Sequence, residues 1–452
     1  MKKRLCITLA SIMLLSGLAG CGTKSTESTD AGDKTVITVA GWPTSENQKN
    51  LDNMNVKKEA FEKENPDIKI ETSTYKYATD TFIPKAMMGQ MPTLFGTFYT
   101  EIQKIIDAGY AADITDMMTE MGMADELYPN IKEIVEKDGR LYGIPSQLYV
   151  QGLICNVELF KEAGLVDADG VPIFPQNYTE LAETAKIIKD KTGKAGFAMP
   201  TTNGVEFMAK ENNRWTAKFD TQACADTLQY VKDLKWKYDA LPTSTFLAMT
   251  DLETLLSTDQ LAMYFRPADS SSTLVDNYGM SKDNIAQCCV PEGSAGRVAQ
   301  MGGSVYMVAN NATEAQKEAC GKWLDFIGFS AKMDDVRKSK LESTMQLNAE
   351  RGYVVGITSM PIWITEESIA ANKELNSKYC NVNLKLFEDY EKYDTVTIKP
   401  EEPQKCQELY SIIDSCIQSV LTDENADCAA LIHEAADSFQ KNYLDKLSEN
   451  EF

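Results

Sequence analysis

The sequence predicts an α/β protein of two lobes. Short apolar segments of strand character alternate with helical segments along most of the chain, the pattern of βαβ units and mainly parallel sheets flanked by helices. About 420 residues follow an N-terminal leader and tether, more than the ~250–300 residues that one hydrophobic core usually serves. Residues 35–40 (TVITVA) read as a short buried strand ending at Gly41-Trp42-Pro43. A helix follows and stops at Asn65-Pro66, and residues 68–72 alternate as a strand should. Next come a helix around 79–88, an apolar strand at 93–98 and a helix from Glu101. The pattern resumes with a strand at 152–156 and helices near 179–191 and 222–238. A strand at 304–309 precedes a helix at 313–326, and the remainder is mostly helical, including 403–421 and 425–446.

The first residues carry an address. Met1-Lys2-Lys3-Arg4 leads into an apolar run over 5–18, shorter than the ~20 residues that span a bilayer, which is the anatomy of a secretory signal. Leu18-Ala19-Gly20-Cys21 resembles a bacterial lipobox, which implies cleavage before Cys21 and a lipid on that cysteine. An ordinary signal with a chance cysteine is the alternative. Residues 22–34 (GTKSTESTDAGDK) are small and polar and read as a flexible tether. The expected location is therefore extracellular, lipid-anchored at the outer face of the bacterial cytoplasmic membrane.

A net charge of −22 argues against nucleic acid, whose phosphates demand a basic face. Eleven cysteines include Cys6 in the leader and Cys21, so an odd number remains and at least one is unpaired. No Cys-x-x-Cys spacing occurs, and most of these thiols read as small buried hydrophobes. The single histidine, His433, leaves no material for a His-based triad or a multi-His metal site, and Asp437 stands where a zinc-protease helix needs its second histidine. Asp167-Ala168-Asp169-Gly170 lacks the third acidic residue of a calcium loop and reads as a turn. The Met-rich run 116–123 reads as packing or an exposed loop. No phosphate-cradling glycine motif is present, and no pair among the many carboxylates stands out. The chain calls for no catalytic residue, metal or cofactor.

Several segments in order resemble one known family. Phe61-Glu62-Lys63-Glu64-Asn65-Pro66-Asp67-Ile68 is followed by Asp138-Gly139-Arg140-Leu141-Tyr142-Gly143-Ile144-Pro145. Gly152-Leu153-Ile154-Cys155-Asn156 and Leu159-Phe160-Lys161-Glu162-Ala163-Gly164 come next, then Gln260-Leu261-Ala262-Met263, Pro291-Glu292-Gly293 and Gly302-Gly303. Over about 400 residues this order is similar to the lipid-anchored solute-binding proteins of ABC importers, in the carbohydrate-binding group that includes maltose-binding protein. The chain departs from the pattern at Cys155-Asn156, where Tyr-Asn is usual, at 175–179 (PQNYT) and at Tyr306, a displaced aromatic.

The resemblance implies a type II periplasmic-binding-protein-like fold. Residues 35–147 and 302–352 would form the N-terminal lobe, and 148–301 and 353–452 the C-terminal lobe. The chain would cross near 148–151, 299–303 and 353–360. A ligand would sit between the lobes at strand ends. A sugar needs flat apolar walls and short polar groups, which nominates Trp42, Tyr99, Thr100, Gln147, Tyr149, Trp215, Arg266, Gly302, Gly303 and Trp363. For each a bland role competes: core filling for the tryptophans, an ion pair for Arg266, a simple turn for the glycines. The implied activity is capture of a carbohydrate, an oligosaccharide by expectation, through hinge closure and delivery to a permease with its ATPase, by a monomer without enzymatic activity. Competing readings are the same importer role for a peptide, polyamine or phosphorylated compound, a surface adhesin or sensor, and an anchored polysaccharide-active enzyme.

Overall fold

The computed structural model describes residues 34–447 apart from 80, 199–207, 212–213, 245–246, 268–269, 358–359 and 393–394. The leader, Cys21 and most of the tether lie outside the described residues, as do Asn212 and Asn213. Among the described residues the thirteen strands are β1 (Thr35–Val39), β2 (Ile68–Thr72), β3 (Leu94–Phe98), β4 (Glu136–Lys137), β5 (Arg140–Leu141), β6 (Ile144–Val150), β7 (Gly152–Asn156), β8 (Met208–Glu211), β9 (Arg214–Ala217), β10 (Met263–Arg266), β11 (Ile285–Cys289), β12 (Val298–Val308) and β13 (Thr397–Pro400).

The first sheet runs β2–β1–β3–β12–β13, with β6 also on β12. β1 is parallel to β2 and β3, so the three opening strands share one direction, whereas β12 runs against β3 and β6. The second sheet centres on β7, antiparallel to both β10 and β11. Parallel bridges from Ala195 to Leu261 and from Ala198 to Tyr264 extend it beyond β10. In this second sheet β7 is thus the strand that runs against the others.

Local chemistry closes the helices where the sequence places its stops. Asn156 caps helix Val157–Ala163 by accepting from the Leu159 amide at 3.0 Å, and Gly164 ends it at φ 74°. Asn177 and Gly193 (φ 72°) do the same for Tyr178–Thr192. Thr313 and Gln316 form a capping box before Glu314–Ile327, which Gly328 closes. Asn156 also donates to the Leu256 carbonyl and to Asp259, which ties the loop ahead of β10 to the end of β7.

One apolar core runs beneath both sheets. A separate smaller core lies where the β8–β9 hairpin meets helices Gln222–Trp236, Cys406–Thr422 and Cys428–Asn442, around Phe219, Leu228, Val420 and Phe439. The Met-rich run serves packing: Met117, Met118 and Met123 are buried, and the Met117 and Met121 sulfurs would lie within 2.8 Å of any Cβ added at Gly321. The nine cysteines in the described residues are all free. No helix among the described residues is long and apolar enough to cross a membrane.

Candidate functional site

β12 is the longest strand and organises the crossing. Its residues 298–301 pair with β13, 301–306 with β6 and 304–308 with β3. The β6 ladder shifts register between Ser304 and Val305, a bulge that bends the strand where its partners change within the first sheet. Six of the nominated residues converge here. Gly302 stands opposite Tyr149, and Ser304 opposite Gln147. A Cβ on Gly302 would lie 2.7 Å from Cε2 of Tyr149, and one on Gly303 would lie 2.9 Å from the Tyr99 ring. The paired glycines are therefore required by the close approach of two tyrosines.

Tyr99 and Thr100 begin the turn that follows β3, and both are buried. The Tyr99 hydroxyl is enclosed without a hydrogen-bond partner, and burial, reinforced by Tyr149, raises its pKa. Thr100 sits 3.5 Å from the Gln407 amide, so the turn touches helix Cys406–Thr422. Two carboxylates lie in the same region. Glu101, 2% exposed, accepts from Lys104 at 3.1 Å and from the Tyr77 hydroxyl at 2.5 Å. Glu401, directly after β13, accepts from the Tyr410 hydroxyl at 2.8 Å, which in turn accepts from Gln300 of β12 at 2.7 Å. Burial raises the Glu401 pKa, and the Glu101 charge raises it further, against the Tyr410 hydrogen bond. Burial also pushes the Cys406 thiol beside this network up to about 12.

A cavity of about 230 Å³ opens along the free side of β6. Leu148, Tyr149 and Val150 form one wall. Pro267, directly after β10, and Ser272 of helix Ser270–Tyr278 bring in the second sheet. Met345 and Asn348 of helix Asp335–Glu350, Asn376 of helix Glu366–Tyr379, the segment from Val354 to Ile357, Met360 and Tyr390 complete the lining. The walls are polar and apolar in about equal measure, with amide and hydroxyl groups between aliphatic and aromatic side chains. Gly356 holds φ 120°, and a Cβ there would lie 2.6 Å from the Cys380 sulfur, so the loop seats closely on the helix pair. The Tyr390 hydroxyl donates to the Val150 carbonyl at 2.8 Å. Its ring occupies the space that a side chain at Gly152 would need.

Four nominated residues lie elsewhere, engaged in packing. Trp42 is 4% exposed, stacks on Trp323 with ring centres 6.0 Å apart and donates to Asn55. Trp215 packs against the smaller core, its carbonyl held by Gln440. Trp363 is buried and bridges to Leu127. Arg266 is held by Glu253 at 2.9 Å, the ion pair weighed as its bland role, although its neighbour Pro267 lines the cavity. The described part of the segment 353–360, expected as a crossing, forms no strand; β13 instead lies along β12.

The sequence reading missed the helical walls and Tyr390. Met345 and Asn348 at i, i+3 spacing on one helix face were the available signal; nothing local marked Tyr390. Asp167 accepts from the amides of Asp169 and Val171, a turn held by its own side chain. His433 Nδ1 donates to the Asp220 carboxylate at 2.8 Å on the surface.

The comparisons agree with this architecture. Residues 45–332 match the bacterial extracellular solute-binding protein family. The chain belongs to that family. A curated relative, an arabinooligosaccharide-binding protein of Halalkalibacterium halodurans, is 27% identical over 128 residues, 26% of this chain and 28% of the relative. That alignment thus spans under a third of the relative's length. Among solved structures, a solute-binding protein of an ABC transporter from Thermotoga lettingae, bound to α-D-tagatose, superposes with a TM-score of 0.66 at 17% identity, over 91% of this chain and 99% of that one. An ABC substrate-binding protein of Listeria monocytogenes in complex with cycloalternan gives 0.66 at 16% identity, over 91% and 99%. At such identity the likeness establishes the fold: two-lobed and α/β.

Proposed function

We propose that this protein is the substrate-binding subunit of an ABC importer and captures a carbohydrate by closing its lobes on it. The observation that carries the reading is the cavity at the crossing, walled by β6 of the first sheet and by residues just beyond β10 of the second. A ligand there touches both lobes, so its binding energy favours the closed arrangement. The names of the relatives, binders of arabinooligosaccharide, tagatose and cycloalternan, support a sugar as the cargo. Mixed apolar walls and amide groups suit C–H faces and hydroxyls alike. Of the nominated residues, Tyr99, Thr100, Gln147, Tyr149, Gly302 and Gly303 remain the proposed contacts, joined by Asn348, Asn376 and Tyr390. Lobe boundaries at 147/148, 301/302 and 352/353 are kept as part of the proposal, with β13, which follows the last of them, lying back along β12 in the first sheet. Cleavage before Cys21, lipid on that cysteine and a monomer tethered outside the cell complete the proposal; the tether keeps the binder within reach of its permease. No turnover is assigned to it.

The test is a thermal-shift screen of residues 22–452 against mono- and oligosaccharides, peptides and polyamines, confirmed by calorimetry. A ligand at about 100 times its dissociation constant adds roughly 2.7 kcal/mol, several degrees for a protein of this size. A saturable shift with a sugar and no product formed is expected. Silence across sugars with a response to peptides or polyamines refutes the carbohydrate cargo, and released product refutes the binder.

A further inference from the structure

Three stretches of chain that pass between the two sheets meet at one pair of residues, Asp389 and Tyr390. The first is the β6–β7 junction, where Gln151 alone separates Val150 of the first sheet from Gly152 of the second. The Tyr390 hydroxyl donates to the Val150 carbonyl at 2.8 Å, and its ring lies against Gly152. The second stretch runs from Cys289, the end of β11, to Val298, the start of β12. Asp389 holds both of its ends: its carboxylate accepts from the Cys289 amide at 3.2 Å and faces the Arg297 guanidinium at 3.8 Å. The Cys289 thiol adds a bond to the Asp389 carbonyl at 3.1 Å. The third stretch carries the pair itself, leading from Leu384–Leu386, packed on β11, to β13 on β12. Its far end is tied as well, since the Thr397 amide donates to the Arg297 carbonyl at 2.9 Å.

This placement bears on how the lobes close. Backbone angles at chain crossings absorb the rotation of two lobes about a ligand. Bonds that join the crossings to one another leave fewer directions for that rotation, so less freedom is lost when the site is completed. Tyr390 is 5% exposed and also lines the cavity, so one side chain both meets the solute and grips the crossing. Asp389 is not part of the described lining, so its influence on binding passes through the crossings. The Asp389 and Arg297 side chains each keep 18% exposure, and a partly wet ion pair of this kind contributes little to stability. We propose that Asp389 and Tyr390 are positioning residues for lobe closure, clasping the three crossings into one pivot that sets how readily the lobes close on the solute. This rests on the capture-by-closure reading above and adds the residues that govern it.

Asp389→Asn keeps the shape and an oxygen for the Cys289 amide but removes the charge that Arg297 and Lys392 face. Tyr390→Phe keeps the ring and removes the bond to Val150. Small-angle scattering of the full mature chain, with and without maltotriose or arabinotriose, reads closure, and calorimetry reads affinity and melting temperature. The wild type should contract on binding. Each variant should melt near the wild type, differ from it in radius of gyration without sugar, and bind roughly three- to tenfold more weakly, because the binding-competent arrangement is less populated. Asp389→Glu, which keeps the charge, should recover most of the affinity. Wild-type affinity and scattering in both variants overturn the pivot and leave the carbohydrate reading standing. Weaker binding by Asp389→Asn with wild-type scattering overturns it too. A wild type that binds a sugar without contracting overturns closure and the pivot together. Contraction with spermidine or trialanine but with no sugar overturns the carbohydrate cargo, and its weakening in Asp389→Asn would still support the pivot.

Discussion

Substituting Gly303 by alanine tests the crossing most directly. The added Cβ would lie 2.9 Å from both Cε2 and Cζ of Tyr99, and closer still to the backbone oxygen of Gln147. Carbon atoms pack best at roughly 3.5–4.0 Å, so the ring must retreat by at least about 0.6 Å. The Gln147 carbonyl has less freedom, because Gln147 is fixed opposite Ser304 in the β6–β12 ladder. Tyr99 cannot retreat into solvent either, since it is 4% exposed. Overpacking of this kind costs typically ~1–3 kcal/mol, and a clash with backbone belongs at the upper end. At about 2–4 °C per kcal/mol the melting temperature should fall by roughly 4–12 °C. Differential scanning calorimetry measures it, with Gly293→Ala as the control, because the nearest atoms there stand at an ordinary 3.7 Å. Displacement of Tyr99 should also weaken sugar binding, and Tyr99→Leu in the Gly303→Ala background should restore part of the stability. A Gly303→Ala protein that melts with the wild type would refute the close approach on which the site's geometry rests.

Three further outcomes follow from particular contacts. Trp42→Ala should lower stability by about 3–5 kcal/mol in urea titration while leaving sugar affinity unchanged, because the ring fills core against Trp323 and is not a wall of the cavity. Glu401 has its folded pKa raised by burial, so its neutral form is favoured on folding. The associated stability is present below the unfolded carboxyl pKa and lost as pH rises through the folded one. Glu401→Gln should therefore raise the melting temperature at pH 7, with the gain shrinking as pH falls through the carboxylate range. His433, the single histidine, has its pKa raised above the usual imidazole value by its bond to Asp220. An NMR titration should show its midpoint above that value, and Asp220→Asn should bring it back down.

Much of the fold was legible before any coordinates. β2 and β7 fall on the residues that alternation and apolar run predicted, and helices Tyr178–Thr192 and Glu314–Ile327 lie within a residue or so of their expected ends. They are legible because strand and helix periodicity, asparagine caps and glycine stops act within a few residues of sequence. The expected helix around 79–88 shortened to Phe82–Met87, with Pro84 in its first turn. β12 begins earlier than the strand expected at 304–309: residues 298–303 gain their strand character from pairing with β13 and β6.

The candidate site divides along the same line. The paired glycines, Gln147, Tyr149, Tyr99 and Thr100 were nominated from strand ends whose order the sequence displays; the structure brings them together along β12, and of them Tyr149 lines the cavity. Trp42, Trp215 and Trp363 were not separable from wall residues, since sequence alone does not say which way a tryptophan turns at the end of a strand or in a loop. Tertiary packing turned Trp42 onto Trp323, 281 positions away in the chain. Likewise Arg266 found Glu253 on the helix ahead of its strand, and Tyr390 reached the cavity from a stretch with no local signature. The sequence by itself determined the class of fold, the order of elements and the family. Only the tertiary structure decided which side chains meet at the crossing and which aromatics are core, because those outcomes depend on strand register and on contacts between residues far apart in the chain.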